Sequence, residues 1–424
     1  VKVADLEIKR TQYAKKGAYA ALYPQIDLTG SYQRTIKKQV MYMTMGGQSM
    51  GIEVGKSNTI NAGLSAAMPL VNAQLWSSLK LSALDVELSV EKARSSRLDM
   101  VTQVKNAFFG TLFAKEAFNV YKEVYENAVQ NLEEAQKKYN AQKASEFELV
   151  RAKTSVANAV PNVYNAESTV ILALWQLKAL LGVDLKMNID VAGSLMDYEA
   201  QMNYAHTIDQ LDMSNNTTLK QLDIQENMLK SALKISKLAN VPTLSINAAY
   251  LYTALGNDGK FFQAKAWNPY SYAGVQLNIP IFAGGQRRAA IKQASLNLSN
   301  LKLQRENAER QLQVAVVQSL NNMQTSVKKF SAASATVSQA QRGYDIAVKR
   351  YEVGRGTLVD IDNSQLQLTQ AELGRNSAIY NFLVSKIALD KILGNHEVKS
   401  SHDYIEKFEQ QYERKYGEQE KENK

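Results

Sequence analysis

The chain has 424 residues, no cysteine and only six prolines. Without cysteine there is no disulfide framework and no thiolate to act as metal ligand or nucleophile. Scarce proline, with Ala, Leu, Gln, Asn, Lys and Ser recurring through the central stretches, predicts long helices rather than two or three loop-rich domains. No run of about 18 apolar residues occurs, so no helix is long and apolar enough to cross a bilayer. The nearest case, STVILALWQLKALLG, is interrupted by Gln176 and Lys178. Enzyme signatures are missing too: there is no zinc-protease helix, P-loop, dinucleotide loop or nucleophile elbow. The three histidines, His206, His396 and His402, are scattered outside any metal spacing. This reads as a protein that is not an enzyme and takes no cofactor or metal. The net charge of +9 is spread along the chain without a basic cluster interleaved with aromatics, which argues against a nucleic-acid partner. The chain opens at Val1 with neither Met nor an apolar leader, and so reads as trimmed.

What is present is a pattern written twice. Pro24 in LYPQIDLTGSY is echoed by Pro242 in NVPTLSINAAY, and Pro69 in AAMPLV by Pro280 in LNIPIF. Downstream, Lys80 and Lys292, Tyr139 and Tyr351, and Gly182 and Gly394 keep one constant offset. Such constancy predicts a duplicated unit, each copy too long for a solenoid repeat. The organisation is a first repeat at 1–183, a linker at 184–213, a second repeat at 214–395 and a charged tail at 396–424. Each repeat reads as a helix, a strand, a loop, a strand, a very long helix, a short turn and a returning helix.

Four runs alternate. Ile26, Leu28, Gly30 and Tyr32 alternate with Asp27, Thr29, Ser31 and Gln33. Ile60 to Met68, Leu244 to Tyr252 and Val275 to Ile281 behave alike. Each is about 10–13 residues, enough to cross a bilayer as a tilted strand. Tyr23, Tyr32, Tyr250, Tyr252, Trp267, Tyr270 and Tyr272 lie on or beside them, where an interfacial aromatic girdle would sit. A soluble sandwich with one buried face has the same period. The stretch NIPIFAGGQRRAAIKQA, from Asn278, is expected to pass from strand to helix with no loop.

The helices weigh against the sandwich. From Gln286 to Tyr351 there is no proline, and small or apolar residues recur at coiled-coil spacing: Ile291, Ala294, Leu298, Leu301, Ala308, Leu312, Ala315, Leu320, Met323, Val327 and Phe330, with Arg305 interrupting once. This helix and its counterpart, Gln74 to Tyr139, would each be about 100 Å long, and the returning helices Ser145–Gly182 and Thr357–Gly394 about 57 Å. The helices that precede the strands, Val1–Leu22 and about 214–240, add roughly 33–40 Å and fill the remainder.

Four strands cannot close a barrel, and open sheet edges are not tolerated in hydrocarbon, where each unpaired backbone group costs several kcal/mol. Two chains would make eight strands with an interior filled by side chains. Three would make twelve and leave a bore. The fold class expected is therefore long coiled-coil helices plus a membrane β-barrel, four transmembrane strands per protomer, with a homotrimer closing twelve strands.

The duplicated order, the proline-marked passage into each long helix, and YEVGRGTLVDIDNSQLQLTQAELG with its echo YNAQKASEFELVRAKTSV resemble the TolC-like outer-membrane efflux proteins over nearly the whole chain. The resemblance implies a passive exit duct of a tripartite efflux or type I secretion system. Its β-barrel would sit in the outer membrane of a Gram-negative bacterium and its helices in the periplasm. A periplasmic adaptor and an inner-membrane transporter would open the helical tip by docking there. A structural envelope spacer or adhesin stalk is the competing reading; paired barrel-type strands have no use in one.

The resemblance also implies a gate. Asp360 falls on an acidic ring position, and Glu148 is its equivalent in the first repeat. The second acidic position is Asn363 here, with Asp362 one residue, or about 100°, away. An arginine that ties the closed tip falls on Gly356, beside Arg355, while Tyr351 and Tyr139 match the aromatics before the turns. Three close carboxylates would attract cations and hold raised pKa values. The plainer reading makes Asp360 and Glu148 first-turn acids favoured by the helix dipole. Pro69, Pro280, Gly284 and Gly285 are placed where strands bend into helices. The loops 37–56 and 254–268 would face outside the cell as ordinary mobile loops. The linker 184–213 corresponds to part of an equatorial belt. The tail, 14 of whose 29 residues are charged, reads as belt-associated or disordered.

Overall fold

The computed structural model describes residues 1–45, 48–202, 212–257 and 267–395. The three histidines, the tail 396–424 and most of the loop expected at 254–268 lie outside the described residues. In chain order the elements are α1 Lys2–Ala20, β1 Gln25–Arg34, β2 Gln39–Met45, β3 Gln48–Val54, β4 Asn58–Val71, α2 Ala73–Asn140, α3 Glu146–Leu181, a 3-10 helix Leu195–Met202, α4 Thr217–Leu238, β5 Thr243–Gly256, β6 Trp267–Asn278, α5 Gln286–Glu352 and α6 Leu358–Leu393. They divide into two compact units. One comprises Lys2–Val90 and Leu222–Gln304; the other comprises Glu91–Gln221 and the chain from Arg305 onward. Both long helices contribute to both units.

The first unit carries a four-stranded antiparallel sheet in the order β1-β4-β5-β6. The register explains the alternation. Leu28 stands opposite Leu64, Leu64 opposite Tyr250, and Ile246 opposite Val275, so apolar residues of all four strands share one face. Thr29, Asn61, Asn247 and Gln276 share the other face. It carries polar ladders: Thr253 Oγ1 donates to Asn61 at 2.8 Å and Asn247 Nδ2 to Gln276 at 3.1 Å. The apolar face is bare, with Leu28 78 % and Val275 64 % exposed. A soluble sandwich would cover such a face.

Two expectations about this unit are corrected. The stretch 37–56 is not an ordinary loop, because β2 and β3 pair through it as a hairpin from Gln39↔Val54 to Met45↔Gln48. The passage from β6 to α5 is not direct: residues 279–285 intervene without regular structure, and Gly284 and Gly285 take φ of 55° and 83°. Ile279 and Ile281 thus fall beyond the strand. Pro280 lies in this link, and its carbonyl accepts from Arg287 at 2.9 Å. The other junction is shorter. Pro69 sits in β4 at a bulge, and Asn72 alone separates β4 from α2, its side chain capping the Leu75 amide at 3.0 Å.

The second unit is helical. Its larger apolar cluster gathers Leu112 of α2, Leu177 of α3, Leu320 and Met323 of α5, and Ile379, Phe382 and Leu389 of α6. Val191, Leu195 and Met202 join it from the linker. That contribution has no helical or strand period, because bends and one short 3-10 helix supply it. At the end of α6, Gly394 adopts φ 70°. A Cβ there would meet the Asn215 carbonyl oxygen at 2.4 Å, so only glycine fits. The same Asn215 carbonyl accepts from Arg94 at 2.8 Å, and Arg94 forms a buried pair with Glu91 at 2.7 Å.

Candidate functional site

Of the residues singled out above, Pro69, Pro280, Gly284 and Gly285 stay at the strand–helix junctions, and the others lie at or beside the turns where α2 passes into α3 and α5 into α6. A smaller apolar cluster forms the floor. Ala135 of α2 and Ala152 of α3 present short side chains to Tyr344 and Tyr351 of α5 and to Leu358, Ile361 and Leu368 of α6. Small residues on one hairpin leave room for large ones from the other.

The second turn is tightly determined. Gly354 takes φ 74°, and Thr357 caps α6. Asp360 Oδ2 accepts from both the Thr357 amide and its hydroxyl at 2.9 Å, while the Asp360 amide donates to Thr357 Oγ1 at 3.3 Å. This is a complete capping box. The hydrogen bonds from Thr357 hold the Asp360 carboxyl below its usual range, and Arg350 acts in the same direction. In a single protomer the shift is thus opposite to the rise expected for three carboxylates crowded together.

The other candidates occupy distinct settings. Glu148 is partly exposed in the first turn of α3, its amide donating to Ser145 at 3.3 Å. Asp362 is tied across helices: Arg151 Nε donates to it at 3.1 Å and Ser155 Oγ at 3.2 Å. Asn363 is exposed. Tyr351 is buried at 3 % exposure, whereas Tyr139 is 38 % exposed. The Lys138 ammonium lies 3.7 Å from the Tyr351 ring centroid and donates to the Tyr351 carbonyl. Burial, then Glu148 and Glu134, push the Tyr351 phenol up to about 12. The Arg355 side chain is exposed, and its carbonyl accepts from Arg350 at 3.2 Å. Gly356 has a steric reason to be glycine: a Cβ there would come 3.0 Å from both the Arg350 Cβ and the Tyr351 amide nitrogen.

Sequence reasoning missed Lys138, Arg151 and Ser155. A signal existed for the first, because Lys138 is the repeat equivalent of Arg350. Arg151 and Ser155 are four residues apart and share a helix face, but nothing local names Asp362 as their partner.

The described residues therefore provide a lipid-compatible sheet, two helical hairpins, and a polar and acidic pair of turns. This is the class of outer-membrane channel proteins. The family model for outer membrane efflux protein matches residues 1–183 and 210–395, and the chain belongs to that family. Outer membrane protein TolC of Escherichia coli is 20% identical over 347 residues, covering 80% of this chain and 70% of that protein. Among solved structures, the Campylobacter jejuni CmeC outer membrane channel superposes with a TM-score of 0.74 at 17% identity, covering 96% of this chain and 85% of that one. The Vibrio cholerae outer membrane protein VceC gives 0.72 at 15% identity, covering 92% of each chain. Fold and location follow: long helices plus a membrane sheet, in the outer membrane of a Gram-negative bacterium.

Proposed function

We propose that three copies of this chain assemble into one conduit and serve as the passive exit duct of a tripartite efflux or secretion machine. The observation that carries the reading is the bare apolar face of the sheet together with its two open edges, β1 and β6. In hydrocarbon the apolar face is stable and the open edges are not. Pairing β6 of one protomer with β1 of the next removes every edge, and three protomers give twelve strands with the polar face lining a bore.

In the helical unit, Asp360 and Glu148 supply carboxylates that favour cations. Two ties hold the turns closed: Arg151–Asp362 joins α3 to α6, and Lys138–Tyr351 joins α2 to α5. Docking of a periplasmic adaptor and an inner-membrane transporter opens the duct by breaking them. Asp362 acts as a tie, so no second acidic ring forms at Asn363.

The chain lacks cysteine, so engineered cysteines along β1 and β6 report on edge pairing without interference. Disulfide-linked species ending at three chains are expected in membranes. A water-soluble single chain with no bilayer-spanning sheet would sink the proposal. For the gate, Asp360→Ala in planar bilayers should lose cation selectivity and divalent block; unchanged selectivity removes Asp360 from that role.

A further inference from the structure

Charges and rings divide unevenly between the two faces of the four-stranded sheet. Within β1, β4, β5 and β6 only Asp27 and Arg34 are charged. The register sends Arg34 to the apolar face, at the last position of its ladder, and Asp27 to the polar face opposite Ser65. The aromatics split as well. Tyr250 stands opposite Leu64 on the apolar face, with Tyr252 two residues on. Tyr270 and Tyr272 stand opposite Leu251 and Ala249 on the polar face. Only the first pair therefore suits the lipid-facing girdle expected of both.

Tyr270 and Tyr272 are about half exposed, and their rings stack with centroids 6.3 Å apart. Beside them Leu251 leans across Gly63, where an added Cβ would come 2.7 Å from Leu251 Cδ2. The polar ladders Thr253–Asn61 and Asn247–Gln276 bracket this patch at either end. An apolar and aromatic patch in the middle of an otherwise polar face marks a contact surface. Asp27 and Tyr272 end the same row across the sheet, through Ser65 and Ala249.

Asp27 lies on edge strand β1 and the two tyrosines on edge strand β6. In the trimer proposed above, on which this inference rests, β6 of one protomer lies beside β1 of the next. Paired strands set like-facing residues opposite each other. Whatever the stagger, the tyrosines meet only the odd-numbered residues of β1, from Gln25 to Gln33. These are Gln, Asp, Thr and Ser, none of them large enough to bury two rings. We propose that this seam is a contact site for organic cations that carry aromatic rings as they pass along the bore. Tyr270, Tyr272 and Leu251 receive the rings, and Asp27 supplies the one charge on that face of the described strands.

The test uses the full-length protein in planar bilayers, with tetraphenylphosphonium as the probe. Tetraphenylborate has the same rings and the opposite charge; tetraethylammonium has the charge without the rings. Only tetraphenylphosphonium should interrupt the current. Tyr270→Ala with Tyr272→Ala should shorten the interruptions by roughly tenfold. Asp27→Asn preserves the shape of the side chain and should shorten them by about threefold. Tyr250→Ala, on the apolar face, should leave them unchanged. Where the double tyrosine variant does not assemble, Asp27→Asn alone decides. A chain that forms no conducting channel defeats the trimer reading and the site with it. The site alone is overturned, and the trimer stands, if conducting channels ignore tetraphenylphosphonium or if the interruptions last equally long in every seam variant. Interruptions that vanish with Asp360→Ala and persist in the seam variants overturn it as well.

Discussion

The two inter-helix turns descend from one pattern, yet they are built differently. Gln142 occupies the left-handed position (φ 56°) that Gly354 takes in the second repeat. Ser145 caps α3 by one bond, whereas Thr357 and Asp360 cap α6 reciprocally. Tyr139 is partly exposed and Tyr351 is sealed beneath Lys138. The returning helices diverge the same way. α6 buries residues along its whole length, including Phe382 and Ile379, while α3 leaves Phe147, Tyr164, Ile171 and Trp175 exposed. Duplication supplied two equivalent hairpins; packing made one the core of the protomer and left the other with an apolar outer side. In the proposed trimer, neighbouring copies cover that side.

The largest test of this asymmetry is in the returning helices. Phe382→Ala should cost about 3–5 kcal/mol in the denaturant unfolding of the detergent-solubilised protein. Trp175→Ala should stay within about 0.5 kcal/mol for the protomer. Equal losses would break the distinction between a wrapped and an unwrapped repeat.

Next come the turns. Gly354→Ala forces a Cβ into left-handed backbone and should cost about 1–2 kcal/mol. Gln142→Gly relieves that strain at some entropic cost and should gain up to about 1 kcal/mol. Thermal midpoints moving in the same direction would contradict the shared backbone geometry. Thr357→Ala should then cost about 1 kcal/mol by losing the reciprocal cap, and Ser145→Ala less.

The smallest effects are in pH dependence, and two acids of α6 should respond with opposite sign. The Asp360 carboxyl is held low by Thr357, so its contribution is present above the ordinary carboxylate pKa and disappears as pH falls through its depressed value. Glu372 is raised by burial first and by Glu123 second, while Arg375 opposes this. The folded state therefore binds its proton more tightly than the unfolded chain, and stability rises as pH falls through the raised value. Carboxyl titrations by NMR should place the two on opposite sides of their usual range. Asp360→Asn and Glu372→Gln should remove opposite slopes from the unfolding midpoint.

Much of this was legible in advance because it is local. The α3 and α6 helices begin and end beside the residues that Ser145, Gly182, Thr357 and Gly394 suggested, since caps act within one turn. Three of the alternating runs became β1, β4 and β5 because side-chain period and strand geometry coincide, while the fourth, Val275 to Ile281, covers only the last four residues of β6. The hairpin at 39–54 was missed because its glycines and exposed methionines look like loop composition. The linker's share of the core was missed because Val191, Leu195 and Met202 have no common period.

What the residues determined by themselves was the architecture of one repeat: where strands lie, how far helices run, where they stop and which face of each strand is apolar. These depend on neighbours within a few positions. Only tertiary structure decided that α6 would be enclosed while α3 stays open, that Asp362 would answer to Arg151, and that Lys138 would cover Tyr351. Those pairs are over 200 residues apart in the chain. No local periodicity carries such a choice; it depends on which hairpin packs inside the other.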